Sequence, residues 1–298
     1  MALQAKAIKS KIASVKNIRK ITRAMEMVAA TKMRKATRAV VDSKEYVRRA
    51  YELLKNLSKH KELSHQLLVA PKNAKKTLII AISSNRGLCG AYNTNIKRAL
   101  ISYVKTHKDD DFAYIAIGRH IERTAKKLPG ELIASFTELG DYISEEELWS
   151  VNSFIIDEFK KGIYKKVYLF YTRFNSSLSY TPINKHILPV RKKDLEDTMD
   201  DMNMKDEERK VESFENFVYE PGQEEVMDFI LPRVTEVYIY QAMLESLASE
   251  HSSRMIAMKN ASDNAKKLIE MLTVNFNRAR QAGITQEIAE ISAGSAVK

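Results

Sequence analysis

The stretch ITRAMEMVAATKMRKA, residues 21–36, alternates Met and Ala with Lys and Arg and contains nothing that breaks a helix. The first proline is Pro71 and the first glycine is Gly87, so the helix-compatible region extends far beyond this stretch. Ile8, Ile12, Val15, Ile18, Ile21, Met25 and Val28 recur every three or four residues. Ala36, Val40, Val47, Tyr51, Leu54 and Leu57 carry the pattern onward. That periodicity predicts one amphipathic helix, and some fifty residues at 1.5 Å each give roughly 80 Å. A globular helix is normally about three turns long, so this one must project from a domain or pair with an equally long partner.

The other end supplies the partner. Fifty residues between Pro232 and Gly283 contain neither glycine nor proline. Val234, Val237, Leu244, Leu247, Met255, Met258, Ala265, Leu268, Leu272, Phe276 and Ala279 mark an apolar face at helical spacing. Pro232 is expected in the first turns of this helix or at a kink, where a proline costs least. Two long terminal helices with narrow apolar stripes pack most simply on each other as a coiled coil. A compact domain joining them makes the pairing antiparallel.

The middle follows a different rhythm. KKTLIIAISS (75–84), DFAYIAIG (111–118) and KKVYLFYTRF (165–174) are short apolar runs suited to buried strands. TNIKRALISYVK (94–105) and EEELWSVNSFIIDEFKKG (145–162) read as helices between them. Strands alternating with helices predict a mostly parallel, Rossmann-like α/β sheet. YTPINKHILPV (180–190) adds a strand whose prolines favour an edge. Residues 191–210, charged and poor in aromatics, read as a mobile loop. The expected division is therefore an N-terminal coiled-coil helix over 1–70, a central α/β domain over 75–215 and a C-terminal coiled-coil helix over 220–298.

Charge is concentrated at one end. The chain has 298 residues and a net charge of +11, yet residues 1–60 hold sixteen Lys and Arg against four acids. The remainder is close to neutral, so the basic helix calls for an acidic partner. Cys89 is the only cysteine, which excludes an intrachain disulfide and suits a reducing compartment. The first twenty residues lack the continuous apolar block of a secretory signal. No run approaches the eighteen or so apolar residues a membrane span requires.

Chemistry-bearing patterns are sparse. SSNRGLCGAYN (83–93) follows a strand and precedes a helix, where a glycine loop can hold a phosphate. It matches neither the dinucleotide nor the P-loop fingerprint, and a tight turn served by Gly87 and Gly90 accounts for it equally. Cys89 has no base nearby in sequence and reads as a small buried apolar residue. His60, His65, His107, His120, His186 and His251 show no metal-ligand spacing, so no metal or other cofactor is expected. His251 reads as a polar interface residue rather than a general base. A nucleic acid would suit the basic helix electrostatically, but residues 1–45 carry no Phe, Trp or Tyr to stack on bases. A protein collar lined with carboxylates and apolar side chains fits the same charge.

Three blocks carry a family resemblance: IASVKNIRKITRAMEMVAATKMRKA, SSNRGLCGAYN, and LASEHSSRMIAMKNASDNAKKLI with NRARQAGITQEIAEI. In this order they resemble the γ-subunit of F-type ATP synthase. The resemblance implies a non-catalytic central rotor shaft: an antiparallel coiled coil rising through a ring of three α- and three β-subunits, above a foot that meets the ε-subunit and the c-ring. Torque then passes between the c-ring and the catalytic β-subunits, with no nucleic acid partner. By the same resemblance Met25 faces the acidic lever region of β, with Lys32, Arg34 and Lys35 as basic shaft residues. Arg86 opens a loop abutting the ring, while Arg280, Gln281 and Thr285 make upper polar contacts with a β loop. The tail ISAGSAVK turns in an apolar sleeve, although Lys298 departs from an apolar end. A lone Cys89 lacks the cysteine pair of redox-regulated chloroplast forms. With Met1 at the start and no transit peptide, a bacterial subunit peripheral to the cytoplasmic face of the plasma membrane is expected.

Overall fold

The computed structural model describes residues 2–43, 48–49, 65–138, 140, 145–191, 220 and 222–296. The elements in chain order are α1 (Ala2–Asp42), β1 (Lys76–Ile82), α2 (Tyr92–Thr106), β2 (Asp111–Ile117), α3 (Arg119–Ala125), β3 (Glu131–Phe136), α4 (Glu145–Lys160), β4 (Tyr164–Ser176), β5 (Ser179–Leu188) and α5 (Gln223–Ala296). The chain divides into two compact units. One holds residues 1–30 with 254–298; the other holds residues 31–253.

In the first unit, the early part of α1 pairs with the late part of α5. Ile8, Ile12 and Val15 pack with Ala265, Leu268, Ile269 and Leu272. Because one helix enters the unit by its N-terminal half and the other by its C-terminal half, the pair runs antiparallel.

The second unit is built on a five-stranded sheet of order β3-β2-β1-β4-β5. β3, β2, β1 and β4 are mutually parallel, with Ile79 of β1 opposite Tyr114 on one side and Tyr168 on the other. β5 returns antiparallel along β4 and forms the edge, as its prolines predict. The central strands read as unbroken apolar runs because both faces are covered. On one face Leu78, Ile80, Ile115 and Leu169 pack under α4 and the early part of α5. On the other, Ile79, Ala81, Tyr114 and Phe170 pack under α2 and α3.

α1 is described as helix to Asp42 and residues 48–49 are again helical; the apolar positions Val47, Tyr51, Leu54 and Leu57 lie outside the described residues. One difference from the sequence reading stands out. α3 and β3 carry little apolar signal: β3 pairs on one side only and is half-exposed, so it never needs a continuous apolar run. Pro232 sits in the third turn of α5, and its carbonyl accepts a bond from Asn152 Nδ2 at 3.3 Å. The loop expected over 191–210 lies, beyond Arg191, outside the described residues.

Candidate contact surface

The helix pair exposes some of the residues that sequence periodicity assigns to its seam. In α1 the buried line runs through Ile8, Ile12, Val15, Thr22 and Ala29, with Ala29 only 1% exposed. These are heptad positions, seven residues apart at 8, 15, 22 and 29, which is what keeps a seam facing its partner helix. Past Val15 the large apolar residues leave that line. Ile18, Ile21 and Val28 are 53%, 59% and 55% exposed, a correction to the stripe read from sequence. The periodicity count followed the largest side chains, whereas the seam continues through small ones. Thr22 satisfies its hydroxyl within its own helix, donating to Arg19 O at 3.1 Å. In α5 the line Met258, Ser262, Ala265 and Leu272 is buried, while Met271, Val274, Ile284, Ile288 and Ile291 face outward. This unit thus presents rows of exposed apolar side chains among exposed Lys16, Lys20 and Arg23.

The residues expected to meet partner subunits lie as follows. Met25 is half-buried, and Arg280, Gln281 and Thr285 are exposed on the late part of α5. Thr285 Oγ1 donates to Gln281 O at 3.0 Å, a bond internal to the helix. In the second unit, Arg34 and Lys35 are exposed and Lys32 is half-buried. Arg34 Nη2 reaches Thr31 Oγ1 at 3.3 Å. Arg86 is exposed on the loop between β1 and α2.

That loop is fixed from below. Ser84 N–H donates to Asn93 Oδ1 at 3.1 Å, and Ser84 Oγ donates to Arg86 O at 2.6 Å. Cys89 is buried, as its sequence context suggests, and accepts a contact from Asn93 Nδ2 at 3.1 Å. Leu88 and Gly90 both take left-handed backbone conformations, with φ of 62° and 54°. Glycine tolerates this freely, but leucine does so at a cost of order 1 kcal/mol. Leu88 is 63% exposed, so the turn pushes an apolar side chain into solvent beside Arg86. Gly118 is held by sterics: a Cβ there would stand 2.2 Å from Ser83 O. This close approach brings the ends of β1 and β2 together around a cavity of about 380 Å³. Its lining includes Arg86, Arg119, Phe136 and Glu138, with Ser246 and Glu250 contributed by α5. Tyr92 closes the cavity, and its phenol is pushed up in pKa first by burial and then by the Glu250 carboxylate. Among the described residues, no group of three or more His, Cys, Asp or Glu is placed to hold a metal.

A buried polar row on α5 carries no recognisable sequence motif. Gln241, Glu245, Ser246, Ser249, Ser252 and Ser253 lie on one helical face and are all at most 5% exposed. The only hint in the sequence is the density of small polar residues in ESLASEHSS (245–253). His251, in the same stretch but on another side of the helix, is also buried.

A helix pair that exposes apolar and basic rows, carried by a mostly parallel α/β unit, is the fold of rotary central-stalk chains. The central-stalk structure from the Tetrahymena thermophila mitochondrial ATP synthase matches with a TM-score of 0.58 at 24% identity, covering 81% of this chain and 99% of that one. The rotor of the Euglena gracilis mitochondrial ATP synthase matches with a TM-score of 0.62 at 17% identity, covering 95% and 100%. In sequence, a family model described as ATP synthase matches residues 4–297. The ATP synthase gamma chain of Nitrosococcus oceani is 38% identical over 294 residues, 98% of each chain. That of Chloroflexus aurantiacus is 38% identical over 298 residues, 97% of each. The chain belongs to the ATP synthase gamma chain family.

Proposed function

We propose that this chain is the non-catalytic shaft of its ATP synthase and that it works through the exposed rows of its helix pair. In this reading the chain transmits torque between the c-ring and the catalytic β-subunits, in a head of three α- and three β-subunits with ε at the foot; membership of the gamma chain family supports it. Rotation presents a different face of an asymmetric shaft to each β-subunit, and each face biases its neighbour toward an open or a closed state. The observation that carries this reading is the seam of small residues, with Ile18, Ile21 and Val28 turned outward. Exposed apolar rows of this kind mark an interaction surface. Here that surface is a surrounding sleeve.

The basic residues complement it. Exposed ion pairs are worth about 0–1 kcal/mol each, so Lys32, Arg34, Lys35 and Arg86 attract acidic loops of the ring without arresting rotation. Met25 meets the acidic lever of β, and Arg280, Gln281 and Thr285 contact a loop higher in the ring. The working parts are then the terminal segments (1–70 and 220–298) that carry the helix pair and the central α/β domain (75–215) that meets ε and the c-ring. Among the described residues no helix is long and apolar enough to cross a membrane, so the chain reaches the membrane through its complex. We place it at the cytoplasmic face of a bacterial plasma membrane.

Co-expression with α- and β-subunits, followed by affinity purification through β, tests the proposal. A complex of three α, three β and one copy of this chain is expected, with ATP hydrolysis depending on β-subunit residues. Recovery of the chain with nucleic acid and without such a complex would refute it.

A further inference from the structure

We infer that the buried polar row of α5 is the torsional joint of the rotor: it fixes the rotational setting of α5 on the sheet. This inference rests on the rotor reading above. It starts from a mismatch in strand length. β4 pairs with β1 only as far as Phe170 opposite Ala81, because β1 ends at Ile82. β4 continues to Ser176, with β5 on its other side. The backbone groups of β4 that would have faced a longer β1 therefore need other partners, since buried amides and carbonyls are almost never left unpaired.

Side chains of α5 supply them. Thr172 N–H donates to Ser246 Oγ at 3.3 Å, and Thr172 O accepts from Ser249 Oγ at 3.2 Å. Phe174 N–H donates to Glu245 Oε2 at 3.3 Å. Past the strand end, Ser252 Oγ donates to Ser177 O at 2.5 Å. Thr172 and Phe174 are two residues apart and so point the same way from the strand. Residues 245, 246, 249, 252 and 253 share one face of the helix. A helix thus stands in for the missing length of β1, taking its hydrogen bonds with side chains.

The row also fastens the neighbouring elements. Ser253 Oγ donates to Cys89 O at 2.5 Å, so the Tyr180 hydroxyl, 2.9 Å away, is the donor in its contact with Ser253. Gln241 Nε2 donates to Glu245 Oε1 at 3.1 Å, and Gln241 Oε1 accepts from Ser43 Oγ at 2.7 Å. The turn ending α1, the overhang of β4, the β4–β5 hairpin and the loop bearing Arg86 and Leu88 are all tied to one helical face.

Apolar packing cannot do this alone. The same face of α5, in its earlier turns, contributes Leu231, Val234 and Ala242 to the core, contacts that are non-directional and tolerate sliding. Hydrogen bonds weaken steeply with angle, and a twist of α5 misaligns every bond of the row together. The row therefore resists rotation of α5 about its own axis, which is the motion torque imposes.

The test uses the assembled complex, immobilised through its stator, with a bead on the α/β domain reporting thermal angular fluctuation. The triple variant Ser246→Ala, Ser249→Ala, Ser253→Ala removes directional bonds and leaves these apolar contacts intact. Its angular variance should rise by on the order of twofold, with ATP hydrolysis and subunit stoichiometry unchanged. Thr at the same three positions, which restores the hydroxyls, should bring the variance back toward wild type. Unchanged variance in the triple alanine variant would overturn the inference. So would loss of assembly in the single variant Ser249→Ala, which would make the row a folding element and not a joint. Absence of rotation in the wild-type complex would instead refute the rotor reading itself.

Discussion

Tyr92 has its phenol enclosed beneath the loop that carries Arg86, and enclosure stabilises the neutral form. Tyr114 and Tyr164 are pushed up to about 12 by burial, with Glu158 a further cause for Tyr164. A tyrosine whose folded pKa lies above its unfolded value of about 10 favours folding fully below that pH, and the benefit is lost as pH rises further. The contribution of these tyrosines to stability should therefore be flat through neutral pH and fall above about pH 10. Phenolate absorbance followed with circular dichroism should show these three tyrosines ionising only as the fold is lost. A second prediction concerns Met25, half-buried on α1. With Met25 facing the acidic lever of β, as proposed above, Met25→Lys would place an ammonium there, and a charge-assisted bond would gain about 1–3 kcal/mol. That bond must break at each step, slowing rotation about tenfold per 1.4 kcal/mol. Complex yield should be normal, hydrolysis retained and ATP-driven proton pumping reduced. Low yield would place Met25 in the seam.

Within the helix pair, the register of α1 can be tested by two opposed substitutions. Ala29→Leu forces three extra carbons into a position that is 1% exposed, and overpacking costs about 1–3 kcal/mol. Ile21→Ala trims an exposed side chain and should change stability by no more than about 0.5 kcal/mol. Thermal denaturation of the isolated chain should show a large effect for the first and almost none for the second. The opposite ranking would restore the stripe read from sequence. That contrast also marks what the sequence makes legible. The presence of two long terminal helices, the alternation of strands and helices, and the edge position of β5 follow from helical periodicity, apolar runs and prolines, which are local signals; the end of a helix does not, since α5 runs through Pro232 and Gly283. The seam of α1 does not, because Thr22 and Ala29 are chosen by the partner helix across the heptad and carry no hydrophobic signal of their own. The polar row of α5 is hidden for a related reason. Its serines answer to a strand that outruns its neighbour, a fact of tertiary structure with no trace in local periodicity. Of the expected contact residues, Arg34, Lys35, Arg86, Arg280, Gln281 and Thr285 are exposed and Met25 and Lys32 are half-buried, which is compatible with contact but does not by itself single them out.

For the molecule as a whole, the surplus of positive charge in residues 1–60 governs what it meets before assembly. Free chain should bind DNA or RNA only weakly and without sequence preference, releasing it as salt rises, because phosphate contacts alone are strongly screened. Fluorescence anisotropy across a salt series checks this, and a preference persisting at high salt would contradict it. Isothermal titration with ATP or NAD should show no binding at residues 83–93; micromolar affinity there would do the same. Both ends of the chain belong to one compact unit, while everything between them belongs to the other. During synthesis this sets an order of events. The sheet and its covering helices can close as soon as residues up to 253 have left the ribosome. The first thirty residues must wait for Arg254 and beyond, roughly 10–45 s later at cellular translation rates of 5–20 residues per second. Throughout that interval Ile8, Ile12 and Val15 have no partner helix, on a segment that is also strongly basic. A ribosome stalled when residue 253 has just cleared its exit tunnel should therefore hold a protease-resistant sheet and a protease-sensitive N-terminus, and that sensitivity should disappear once the last forty-five residues have also emerged.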